Sequence, residues 1–381
     1  MIAVSSRMRW AARAQFFCSG FVFATWGVHV PTLKARYGID DAQLGLALLA
    51  AGTGALLGLT QASHWIGRHG ARRAAGVFGT LYALLLALLL AMPSYTALLG
   101  LLALFGIATS VFDVSINTEG AQLELQGGKP LMSGLHGMFS LGGMVGAITG
   151  GAALAVGIDP QRHLAAVAAT LALTISLSSR WMLPREATAF ASASGQALRL
   201  PRGTLALLGI LAALGLIAEG AIYDWSVLYL QQELGSPQKQ AALAYASFSA
   251  AMAATRFAGD ALRARFAPAL LLRGSALLAA ASMTLALVTD QPWLALIGFA
   301  GVGVGFANVV PILFAAAARV PGVEPARGIA AVSAAAYLGF MAGPPVIGFL
   351  AKLSSLTIAL YVVVAFASAL AAAARYGEPA H

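Results

Sequence analysis

The chain has 381 residues, 59% of them hydrophobic and only 10% charged, whereas a soluble domain carries about 25% charged residues. A soluble protein of this length would lack polar surface, so the composition selects a polytopic membrane protein. The formal charge of +9 does not indicate nucleic-acid binding, because the basic residues fall in short loops and no basic groove with interleaved aromatics is present.

A single cysteine, Cys18, rules out an internal disulfide and any cysteine-based metal cluster. Arg7, Arg9 and Arg13 precede an apolar run of about 20 residues, and further runs follow at once, so this is a first span rather than a cleaved signal. Runs of that length predict twelve spans, near 12–33, 43–65, 74–93, 96–122, 131–156, 162–182, 204–231, 240–259, 268–288, 292–318, 328–351 and 355–374. The one long polar stretch, 183–203, is expected to be a cytoplasmic linker between an N-terminal six-helix bundle (1–182) and a C-terminal one (204–381). The predicted fold class is all-α: a membrane protein of twelve transmembrane helices in two six-helix bundles.

With the N-terminus inside, 18 of the 23 basic residues fall in inside segments and 5 outside, which predicts cytoplasmic termini. Arg68, Arg72 and Arg73 make the loop after span 2 basic, while Arg256 and Asp260 lie near the inner end of span 8 and are read as a gate pair. The halves also resemble one another. Gly106 precedes Asp113 by seven residues in span 4, as Gly301 precedes Asn308 in span 10. Spans 5 and 11 both carry glycine ladders, Gly142, Gly146, Gly150 and Gly339, Gly343, Gly348. These matches predict a parallel internal repeat.

Two acids interrupt the apolar runs, Asp113 in span 4 and Glu219 in span 7. A charge at the bilayer centre costs about 2.5–3.5 kcal/mol even on insertion scales, so such residues are expected to face a cavity and handle an ion or a substrate. Asp113 and Asn117 share a helical face, as do Glu219 and Tyr223; Glu119 points elsewhere, near the cytoplasmic end. A low-dielectric setting disfavours a charged carboxylate, which makes both acids candidate proton carriers. His136 in span 5 lies at a depth similar to that of Asp113 and is a candidate relay. Asp224 lies about 7.5 Å further out than Glu219, at ~1.5 Å per residue.

Trp26, His29, Asn308 and Tyr337 complete the polar and aromatic set, whereas Trp10, Trp181 and Trp293 at span ends are expected to be interface anchors. With no Arg or Lys read at mid-membrane, the lining is expected to be net acidic and to favour neutral or cationic solutes. No phosphate-cradling loop, zinc-ligand spacing or nucleophile elbow is found, so neither an enzyme nor a bound metal or cofactor is expected.

The segment Ser63-His64-Trp65-Ile66-Gly67-Arg68-His69-Gly70-Ala71-Arg72-Arg73 resembles the Gly-x-x-x-Asp-Arg-x-Gly-Arg-Arg/Lys loop of the major facilitator superfamily (MFS), with Gly67 replacing the aspartate. The resemblance extends over essentially the whole chain. Asp113-Val-Ser-Ile-Asn117 and His136-Gly-Met-Phe-Ser-Leu-Gly142 are similar to spans of fucose-permease-like sugar/proton symporters, although the span-1 acid of those permeases is missing between Phe23 and His29. The resemblance implies the MFS fold, a central cavity lined by spans 1, 4, 7 and 10, and a proton site at Asp113. It also implies a monomer in a bacterial inner membrane, partnered by lipid, protons and a small molecule.

The function expected from this is symport of a small neutral polar, sugar-like solute with protons, by alternating access. Asp113, Glu219 and His136 are assigned to proton coupling, and Trp26, His29, Asn117, Tyr223, Asp224, Asn308 and Tyr337 to the substrate. Arg68, Arg72, Arg73, Arg256 and Asp260 are assigned to gates. A proton antiporter exporting hydrophobic or cationic compounds is the second reading, and a non-transporting sensor the third.

Overall fold

A computed structural model describes residues 4–128, 130–188 and 202–378; Lys129, Arg199 and most of the expected linker (189–201) lie outside the described residues. The helices are α1 (Ser6–Tyr37), α2 (Asp41–His69), α3 (Ala71–Leu86), α4 (Tyr95–Gly127), α5 (Met132–Ala155), α6 (Pro160–Ser179), α7 (Arg185–Thr188), α8 (Thr204–Gln232), α9 (Gln238–Phe257), α10 (Gly259–Arg265), α11 (Pro268–Val288), α12 (Pro292–Phe306), α13 (Val309–Ala317), α14 (Pro325–Leu353) and α15 (Leu356–Ala372). Each of the twelve predicted spans falls on one helix or on a helix with a single break. Span 8 is α9 with α10, and span 10 is α12 with α13.

Among the described residues, 8 helical stretches are long and apolar enough to cross a membrane. The remaining spans, on α3, α6, α9 and α15, are shorter or more polar. Mid-helix Leu57, Val77, Leu173, Ile210, Leu277 and Ile297 are all more than half exposed. Apolar side chains standing outward from the middle of long helices form a surface suited to lipid rather than water.

The sequence punctuates these helices legibly. Ser5, Ser94, Asp159 and Ser355 each accept a backbone N–H from three residues on, capping α1, α4, α6 and α15. Asp40 and Gln43 exchange bonds at the start of α2, each side chain accepting the other's backbone N–H at 2.8 and 3.0 Å. Gly38 takes φ +60 to end α1, a left-handed conformation that a side chain disfavours. The break in span 10 also has a local cause. Pro311 has no N–H to give the carbonyl four residues back, and Asn308 there adopts φ −105, ψ −6.

The chain divides into two compact units: unit 1 is Met1–Ile39 with Ala47–Ser194, and unit 2 is Asp40–Leu46 with Gly195–His381. Within unit 1, α5 packs on α1, α3 on α4 and α6, and α1 on α6. Within unit 2, α14 packs on α8, α11 on α12 and α15, and α8 on α15. Numbered by span, these are the same neighbours in both units (1 with 5, 3 with 4, 3 with 6, and 1 with 6), as a parallel repeat requires. The glycine ladders allow close approach in the first of these packings, α5 on α1 and α14 on α8. A Cβ on Gly142 would overlap the Phe17 carbonyl of α1, and one on Gly339 would overlap the Ala213 side chain of α8. In lipid, where apolar association gains nothing from expelling water, such small-residue contacts carry the packing. Cys18 is sealed in α1, 1% exposed.

Candidate functional site

In unit 1 the body of α4 carries Asp113 and Asn117, both half-buried. One turn of helix stacks the amide against the acid: Asn117 Nδ2 donates to Asp113 Oδ1 at 3.1 Å and to the Asp113 carbonyl oxygen at 2.9 Å. His136, on α5 and also half-buried, stands edge-on to Phe16, ring centroids 5.4 Å apart.

Trp26 is 3% exposed, with its ring 6.2 Å from that of Phe105. It therefore belongs to the packed contact between α1 and α4 and presents no open face for a ligand. His29 departs from its expected place in the lining for a similar reason. It turns toward α6, where its Nε2 lies 2.9 Å from Nδ1 of His163, both rings buried. Sequence reasoning passed over His163, which sits one turn after the Asp159 cap; two lone histidines 134 residues apart give no signal until the helices are packed. Glu119 is the acid near the cytoplasmic end of α4 that points away from Asp113 and Asn117. It is fully buried and accepts the backbone N–H of Leu183 at 2.8 Å.

Unit 2 is built differently. Glu219 and Tyr223 follow each other by one turn on α8, 8% and 5% exposed. The Tyr223 hydroxyl donates to Glu219 Oε1 at 3.3 Å, and Arg256 Nη2 reaches the same oxygen from α9 at 3.1 Å. The ring of Tyr223 is wedged against Tyr245 and Phe248, each 5.1 Å away.

The sequence placed Arg256 at the inner end of span 8, beside Asp260. Arg256 does lie in the last turn of α9, and a separate short helix, α10, follows after Ala258. Its guanidinium nonetheless reaches Glu219 in the body of α8, and the expected net acidic lining is corrected accordingly in unit 2. Asp260 pairs with Arg263 within α10. Arg263 Nη1 also donates to Oδ1 of Asn308, at 3.2 Å, at the break between α12 and α13. Two interrupted helices are thus tied at their interruptions, with Asn308 1% exposed.

Asp224 is 4% exposed, whereas Tyr337 is 41% exposed. Of the basic loop residues, Arg68 is exposed in the last turn of α2, while Arg72 and Arg73 open α3. Trp10, Trp181 and Trp293 are 63%, 52% and 59% exposed at helix ends, as interface anchors are.

Chemically, the two acids differ in what meets them. An amide hydrogen-bonds a carboxylate without cancelling its charge, whereas a guanidinium does both. No group of three or more His, Cys, Asp or Glu side chains among the described residues has the geometry to hold a metal.

Comparison with known proteins places this architecture. Residues 14–326 match the Major Facilitator Superfamily. An MFS-type transporter of Yersinia pestis is 35% identical over 365 residues, covering 96% of this chain and 94% of its own. Among solved structures, a mutant of the nucleoside transporter NupG superposes with a TM-score of 0.75 at 14% identity, covering 97% of this chain and 99% of its own. The D-xylose–proton symporter does so with a TM-score of 0.72 at 12% identity, covering 97% and 96%. The likeness to those two structures is one of fold. Taken with the lipid-facing helices and the repeated packing order, the sequence match establishes that the chain belongs to the Major Facilitator Superfamily, as a multi-pass membrane transporter.

Proposed function

We propose that the protein is a proton-coupled secondary transporter that takes up a small neutral polar solute by alternating access. It would act as a monomer in a bacterial inner membrane with both termini cytoplasmic. The observation that carries this reading is the contrast between the partners of the two acids. Asp113 accepts a hydrogen bond from the Asn117 amide one turn along the same helix, and it is assigned to the proton. Glu219 is neutralised by Arg256, so it is assigned to substrate and not to the proton.

An Arg–carboxylate pair offers a donor and an acceptor side by side, a match for adjacent hydroxyls on a sugar or nucleoside. The two structural neighbours are a nucleoside transporter and a D-xylose–proton symporter, and both solutes are hydroxylated, which supports the same class here. Tyr223 adds an aromatic edge, and His136 is assigned to modulating Asp113. The exporter reading drew on a net acidic cavity with a sparse polar lining, and the Arg256–Glu219 pair lessens that acidity.

The test is proton movement in proteoliposomes on adding a panel of sugars, nucleosides and lipophilic cations, with wild type beside Asp113→Asn. Inward proton movement with a hydroxylated solute, lost in the variant, is expected. Outward movement driven by a lipophilic cation would overturn uptake in favour of export. Proton movement unchanged in Asp113→Asn would overturn the assignment of the proton to this acid.

A further inference from the structure

Unit 1 contains a cleft of about 600 Å³, lined by His69, Arg72, Arg73, Pro184, Arg185 and Glu186. Volumes of roughly 300–1,000 Å³ hold small ligands. Three arginines against one glutamate make it strongly basic, and among the described residues none of the three makes an ion pair.

The cleft is built, not incidental. Gly70 takes φ +81 between α2 and α3, which swings Arg72 and Arg73 into the first turn of α3. That turn holds no acid, although a helix N-terminus favours negative charge and disfavours positive. Its first N–H, of Ala71, is instead capped from outside, donating to Thr188 Oγ1 of α7 at 3.0 Å. The same short helix abuts the turn, since a Cβ on Gly70 would lie 2.9 Å from Arg185 Cα. The segment leading into it is pinned by the bond from Leu183 N–H to buried Glu119. Arg185 is therefore held opposite Arg72 and Arg73, and like charges are collected where an anion would relieve them.

Two exposed tryptophans set the level of the cleft in the membrane. Trp65 lies one turn before His69, its ring 4.9 Å from the imidazole, and is 38% exposed. Trp181 lies three residues before Pro184 and is 52% exposed. Tryptophans on an outer surface mark the headgroup layer. A basic pocket at that depth meets lipid phosphates, which guanidinium groups bind through paired N–H donors.

We propose that this cleft is a phosphate-binding site whose occupant is the phosphodiester of an anionic lipid headgroup. It is separate from the acids assigned to transport and does not depend on that assignment.

The test is native mass spectrometry of the delipidated protein titrated with phosphatidylglycerol or phosphatidylcholine, with inorganic phosphate as competitor. A retained phosphatidylglycerol adduct is expected, weakened roughly thirtyfold in Arg72→Gln/Arg185→Gln, at about fivefold per arginine. Glu186→Gln alters one exposed residue and leaves the framework intact, so it tests the site even if the double variant folds poorly; it should tighten binding about fivefold by the same scale. Displacement by millimolar inorganic phosphate would keep the phosphate site but assign it to a soluble source. Equal retention of both lipids, or no change in either variant, overturns the proposal.

Discussion

The two units share a packing order but not a chemistry. In unit 1 the acid of α4 is held by an amide from its own helix; in unit 2 the acid of α8 is held by a guanidinium from the neighbouring helix. The repeat partner of Asp113 is Asn308, which stands at the break between α12 and α13 and accepts from Arg263. The span in unit 1 that corresponds to α8 has a packed Trp26 and a paired His29 where an acid stands in α8. Repetition has preserved the small-residue contacts that decide how helices pack, while the polar groups have diverged. This leaves one acid bonded to an amide of its own helix and one bonded to a guanidinium of its neighbour.

The largest effect should come from separating the permanent partners. Glu219→Leu or Arg256→Leu alone is expected to cost about 3–5 kcal/mol, because the survivor is left buried and uncompensated, while Glu219→Leu/Arg256→Leu recovers most of it. Thermal unfolding in detergent measures this, and single variants as stable as the double would break the contrast. Next, Asn308→Ala removes the acceptor of a charged hydrogen bond, worth about 1.5 kcal/mol at a partly exposed arginine. A silent result would mean that the tie between the two helix breaks carries no weight.

Asp113→Asn sharpens the comparison from the other side. Its stability should change by about 1 kcal/mol or less, the worth of a neutral hydrogen bond, while substrate-driven proton movement falls to the protein-free background. A stability loss as large as that of Arg256→Leu would mean that Asp113 holds the fold as well.

The smallest effect is expected at the exposed pair of Lys352 Nζ and Asp40 Oδ2, 2.9 Å apart; Lys352→Ala should cost about 1 kcal/mol or less, and less still in high salt. The Asp40 carboxyl is held below its ordinary range, first by the Gln43 backbone N–H and then by Lys352. A depressed carboxylate contributes stability above its unfolded pKa and loses it as pH falls through the folded one. The wild-type advantage over Lys352→Ala should therefore vanish on acidification, below the ordinary carboxylate range.

Much of this was legible in the residues. Span positions followed from apolar runs, because a bilayer demands about 20 of them in succession. The pairing of Asp113 with Asn117 followed from helical periodicity alone. What could not be read was anything depending on contacts between helices. Arg256 was legible as the end of its helix but not as the partner of Glu219, 37 residues away on α8. The His29–His163 pair and the burial of Glu119 against Leu183 join positions 134 and 64 residues apart. Trp26 offered an aromatic ring in a lining span, and only packing against Phe105 showed that its faces are taken.

The burial of Cys18 has a practical consequence. As the single thiol of the chain, sealed in α1, it is out of reach of bulky maleimide reagents while the fold is intact. The native sequence thus serves as its own cysteine-free background. A cysteine introduced at an exposed position such as Tyr337 or Trp181 would be the one site a spin label or fluorophore reacts with, so spectroscopic distances could be collected without first rebuilding the protein.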